Sequence, residues 1–93
     1  MANEFYGRTW RIDTAGPGMI AAAMMRVKSV RWVAPAAAAG NAVVIQDAND
    51  KILWESVATG ANYTEEAVVE NWWMSGFKVP TLASGVLYVT LSY

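Results

Sequence analysis

Turn-forming residues interrupt this sequence at short intervals, and that spacing restricts the fold more than any other feature. Glycine, proline or Asn/Asp clusters stand at 16–18, 35, 40–41, 47–50, 60–62, 76, 80 and 85, roughly one signal per ten residues, the interval of short antiparallel strands. Parallel strands would need crossovers of about a dozen residues or more, usually helical, and the breaks leave no room for several of them. The sequence therefore predicts an all-β chain: a small antiparallel β-sandwich or barrel, one domain over residues 1–93, with at most one short helical turn in the alanine run 36–39.

The segments fill in this outline. FYGRTWRID at 5–13 places Trp10 and Ile12 on one face and Thr9, Arg11 and Asp13 on the other, as a strand does. GPG at 16–18 supplies a turn. RVKSVRWV at 26–33 is β-branched and reads as a strand, but its faces are mixed, with Lys28, Val30 and Trp32 on one and Val27, Ser29, Arg31 and Val33 on the other. MIAAAMM at 19–25 suits a helix by propensity, yet it runs without a breaker into that strand, which favours an extended or edge conformation. Residues 34–41 read as a loop. DAND at 47–50, between 42–46 and 51–57, is the clearest hairpin signal, because Asn and Asp tolerate left-handed backbone. Residues 63–76 stay open between two readings: Thr64 suits the cap of an acidic helix through Glu65, Glu66 and Glu70, while Val68, Val69, Trp72 and Trp73 suit a strand. Pro80 interrupts the chain after Val79, and 86–93 aligns Leu87, Val89, Leu91 and Tyr93 on one face of a last strand.

The chemistry available is narrow. The 93 residues include no cysteine and no histidine, so disulfides, thiolate zinc sites and Ser-His or Cys-His catalysis are excluded. Carboxylates, carbonyls and hydroxyls remain, a set suited to hard cations. DAN at 47–49 resembles the opening of a calcium loop, but an EF-hand would need glycine where Ile52 stands and a bidentate acid where Ala58 stands, so a turn is the better reading. GPG lacks the lysine and hydroxyl of a phosphate loop. Glu66 and Glu70 would share a helical face as an acid–base pair, and a solvated acidic face explains them as well. No catalytic residue, cofactor or metal ligand is expected, and the chain is read as no enzyme.

Charge and apolar content point elsewhere. A formal net charge of −1 lacks the basic excess of a phosphate-tracking protein, so nucleic acid is not the expected partner. The interleaved Arg26, Lys28, Arg31 and Trp32 fit a half-buried strand whose charged stems lie over apolar neighbours. The longest apolar stretch, 32–45, is broken by Pro35, Gly40 and Asn41 and is too short to span a bilayer as a helix, so no membrane role is expected. The N-terminal MANEF lacks the pattern of a secretory signal. Charged residues make up 16% of the chain, against about 25% in ordinary domains. Five tryptophans are many for so small a core, and tryptophan is enriched where surfaces meet. Trp32, Trp54, Trp72 and Trp73 are therefore candidate protein-interface residues, with Arg31 as a charged anchor.

The runs RVKSVRWV at 26–33, AGNAVVIQD at 39–47, KILW at 51–54 and TLASGVLYV at 81–89 resemble small virion-associated proteins of tailed bacteriophages. The resemblance spans about two-thirds of the chain and rests on strand and turn phrasing. It implies a β-sandwich decoration (cement) protein of the capsid, or a small tail or fibre component, made in the host cytoplasm and residing in the virion. The implied partners are capsid or tail protein and further copies of the chain as a homo-oligomer. The alternative is a carbohydrate- or receptor-binding module of a phage tail or fibre, using Trp72 and Trp73 as a sugar platform.

Overall fold

A computed structural model of the protein describes residues 3–91. Seven strands form one antiparallel sheet: β1 (Glu4–Tyr6), β2 (Thr9–Ile12), β3 (Ala21–Ala34), β4 (Ala42–Gln46), β5 (Ile52–Val57), β6 (Tyr63–Leu82) and β7 (Val86–Leu91). Their order across the sheet is β1-β2-β7-β3-β6-β4-β5. The long β6 pairs with β3 through Phe77 and with β4 from Lys78 to Leu82, so it carries the sheet from one half to the other. The sheet folds back on itself, and Val43 and Ile45 of β4 join Val27, Val30 and Trp32 of β3, Phe77 of β6 and Leu87 of β7 in one buried cluster. The radius of gyration, 12.3 Å, matches the roughly 12 Å expected of a compact domain this long. The result is a small all-β globule of the expected class. No helix occurs among the described residues, and the alanine run forms two successive turns, in which Ala37 N donates to Ala34 O and Asn41 N to Ala38 O.

Three departures from the sequence reading, and the outcome at 63–76, which it leaves open, follow from strand pairing. The segment 5–13 is a hairpin and not one strand. Tyr6 pairs with Thr9 around a two-residue loop, and Gly7 has φ 63° while Arg8 is not among the positive-φ residues, the pattern of a type II′ turn, whose first position favours glycine. The mixed faces of 26–33 resolve through a bulge between Val27 and Ser29. One extra residue resets the alternation, so Met25 and Val27 before it and Val30, Trp32 and Ala34 after it all enter the same core. Residues 63–76 are strand throughout. Pro80 does not end β6, because the β4–β6 register shifts between Val44 and Gln46 and places the proline in an irregularity, where a missing N–H costs no ladder bond.

The two segments given as extended or as hairpin are so in the structure. Residues 21–25 open β3, and β4 and β5 pair around 47–50. In that turn Asp47 Oδ1 accepts the backbone N–H of Asn49 at 2.8 Å and of Lys51 at 3.0 Å, while Asp50 takes φ 63°. Lys78 of β6 forms an ion pair with Asp50 and ties the turn to the sheet. Residues between β2 and β3 close the free side of β6, with Gly16 N donating to Val79 O and Ile20 N to Phe77 O. Asn3 holds the end of β2, its side-chain oxygen accepting the N–H groups of Asp13 and Thr14. Leu87, Val89 and Leu91 point inward as their alternation requires, and Tyr93 lies outside the described residues.

Where β6 turns from β3 towards β4, Gly76 has φ +89°, and a Cβ there would fall on the Ala21 carbonyl and 2.8 Å from Ala22 Cα. Gly76→Ala is expected to destabilise the fold by about 3 kcal/mol through backbone strain and overlap. Gly16→Ala, with open space around it, should change stability by less than about 0.5 kcal/mol, and urea denaturation measures both variants. The Asp47 carboxyl is held below its ordinary 3.8 by the backbone N–H groups of Lys51 and Asn49. Its contribution is therefore full above pH 3.8 and fades as pH falls through the lower folded-state value. Thermal melts of Asp47→Asn, which keeps the acceptor oxygen, should lose this acid-side dependence, and Asp47→Ala should melt lower than wild type at neutral pH.

Candidate functional site

The structure separates the tryptophans that composition grouped together. Trp32 is 0% exposed. Its indole N–H donates to Ser84 O at 2.8 Å, and its ring meets Tyr63 at 5.4 Å between centroids. As an interface candidate it is corrected by this enclosure: the bulge after Val27 turns it inward, and it is core. Trp54 and Trp72 are half-buried and pack against the core cluster. Trp10 bridges Phe5 and Phe77, with ring centroids 4.8 and 6.2 Å away. Trp73 alone of the five is predominantly exposed, at 58%. Strand alternation sends Trp72 and Trp73 to opposite faces, so they do not form a two-ring platform.

Trp73 lies opposite Arg26 of β3, whose guanidinium carbon sits 5.7 Å from the ring centroid, within the range of a cation–π contact. Because the bulge keeps Met25, Val27, Val30 and Trp32 inward, Met24, Arg26 and Arg31 all belong to the opposite, outer face of β3. On β6 the outer face carries Glu66, Val68 and Trp73, and the side chains of Val69, Glu70 and Asn71 lie outside the described set. Arg31 and Trp73 are therefore the two sequence-derived interface candidates that the fold presents on one exposed surface.

Polar residues cross this outer face in register. Arg11 of β2, Tyr88 of β7, Arg31 of β3 and Glu66 of β6 are successive cross-strand partners. The neighbouring row is Thr9, Thr90, Ser29 and Val68. Tyr88, Arg31 and Glu66 of the first row and Thr9, Thr90 and Ser29 of the second, with Val33, line a shallow groove of about 410 Å³. Arg11 is committed to Asp13 at 2.9 Å. The guanidinium is favoured by that carboxylate and by Tyr88, and Asp13 is held below the usual carboxylate range by the Thr14 hydroxyl and by Arg11. A second groove, of about 340 Å³, runs between Met24 and Trp73 on one side and Leu53 and the 47–49 turn on the other.

Sequence reasoning missed Glu66 as the surface partner of Arg31 and Val68 as that of Ser29, because it leaves 63–76 open between helix and strand. Had its strand state been legible, the period of two would have set 64, 66 and 68 outward. The remaining polar cluster is a clamp between layers: Ser56 of β5, 6% exposed, donates to Glu65, which also accepts the Tyr63 hydroxyl at 3.1 Å. Among the described residues no group of three acidic side chains is placed to hold a metal. No buried side-chain N or O there lacks a hydrogen-bond partner, and no helix is long and apolar enough to cross a membrane. Glu70, the proposed partner of Glu66 in an acid–base pair, has its side chain outside the described set.

Set against family models, curated proteins and solved structures, the chain matches none of them.

The two kinds of tryptophan should separate in mutagenesis. Trp32→Ala is expected to cost about 3–5 kcal/mol of folding stability, as removal of a buried large ring does. Trp73→Ala should cost about 1 kcal/mol or less, chiefly the exposed cation–π contact. Urea denaturation followed by far-ultraviolet circular dichroism measures both.

Proposed function

We propose that this protein is a structural component of a phage particle, of the decoration type, which binds capsid or tail protein and further copies of itself and performs no catalysis. The observation that carries this reading is the set of large apolar side chains left exposed on paired strands: Met24 at 62%, Val68 at 65%, Trp73 at 58%, and Ile52 and Val57 on β5. A chain with few charges that leaves an indole and several aliphatic side chains on the outer surface of its sheet is suited to broad contact with another protein. The virion resemblance in four strand and turn segments supports the same reading. Repetition on a lattice turns modest single-site affinity into firm attachment, so a small module without disulfide or metal can still serve as an assembly part.

Purified protein mixed with empty shells, and separately with tail tubes, of a tailed phage is expected to co-sediment with one of the two and to saturate at a fixed number of copies per particle. Trp73→Ala, folded as judged by circular dichroism, should lower that occupancy at limiting protein. Failure to sediment with either particle, together with sugar-dependent quenching of tryptophan fluorescence in the wild type, would replace this reading with that of a glycan-binding module.

A further inference from the structure

The outer face of the β3–β6 ladder is complementary to itself. Arg31 and Glu66 are direct cross-strand partners and both exposed, yet neither has an ion-pair partner among the described residues. On the same face stand Val68, next to them, and further along the strands Trp73 and Met24, the three most exposed large apolar side chains among the described residues. An opposite-charge cross-strand pair would ordinarily close on itself, and here the two groups remain available outward, next to apolar surface.

We infer that this face binds a second copy of the chain in a two-fold, face-to-face dimer, with the axis running along the strands between β3 and β6. Rotation about that line keeps each residue at its own level along the strands and exchanges β3 for β6. Arg31 then lies over Glu66 of the second copy, and Glu66 over its Arg31. By the same register Trp73 lies over the second Arg26, so the contact between that guanidinium and an indole is offered twice more across the interface. Val68 meets Ser29, and Met24 meets Ser75, pairings small enough for two sheets to approach to about 10 Å. A two-fold axis in the same plane but across the strands would reverse the levels and lose these pairings. Unlike charges therefore select one arrangement, and it is isologous and closed.

This inference rests on the proposed self-association and names its surface and symmetry. Sedimentation equilibrium from low micromolar to sub-millimolar concentration, with native mass spectrometry, tests it on four proteins: wild type, Arg31→Glu, Glu66→Arg and the double charge reversal. Wild type is expected to reach a dimer. Each single reversal places like charges opposite one another twice and should weaken dimerisation at least ~10-fold, about 1.4 kcal/mol. The double reversal recreates both pairs and should return to within ~3-fold of wild type, with all four proteins showing the same strand-type circular dichroism. A wild type that stays monomeric at every concentration overturns the inference, as does a double reversal no better than either single one, or single reversals that dimerise as wild type does. A monomer that still decorates shells removes this dimer and leaves the proposed function, whereas a dimer that ignores shells and tail tubes does the opposite.

Discussion

Strand β3 is hydrogen-bonded to β6 along one side and to β7 along the other, and the irregularity after Val27, shared by both pairings, lets it serve both as wall of the core and as outer surface. Without that extra residue, a strict period of two would send either Met25 and Val27 or Val30 and Trp32 to solvent. The cluster around Phe77, Ile45 and Leu87 would then lose half of its β3 contribution. With it, one fourteen-residue strand presents five buried side chains inward and keeps its arginines outward. The packing of the hydrophobic interior and the charge pattern of the exterior thus have one origin.

The fold class was legible because it depends on turn chemistry and on short β-branched runs, both local properties. The hairpin at 47–50 and the inward side of β7 follow from neighbouring residues alone, and both stand as read. Features that depend on a partner strand were not legible. The bulge at 27–29 exists only relative to β6 and β7, and Pro80 is tolerated only because the β4 register shifts opposite it. Gly7, read within one continuous strand, makes a turn because residues 4–6 find 9–11 as their partner. The strand state of 63–76 is likewise a tertiary outcome: pairing with β3 overrides a segment whose acids and capping threonine agree with helix.

The candidate surface shows the same division. Composition flagged an excess of tryptophan, but the choice of which indole faces outward was made by strand parity and by a bulge. Trp32 and Trp73 illustrate it: both are cross-strand neighbours of residues on the same long ladder, and one is sealed beneath Ser84 while the other stands above Arg26. Arg31 was chosen for its charge alone, and its significance in the structure comes from register with Glu66 and Tyr88, which no single-strand reading provides. The chain's low charge makes that placement more telling, since few ionic groups are available for the face at all.

The continuous path of β6 through both halves of the sheet has a kinetic meaning. Its first part pairs with β3 across 28 to 55 intervening residues and its last part with β4 across 31 to 38, so both ladders close over long separations. Contacts of that sequence separation close slowly, on the millisecond-to-second scale of other small β proteins. In a chain so arranged, fraying is expected first at the outermost strands β1 and β5, with the β3–β6 ladder opening last.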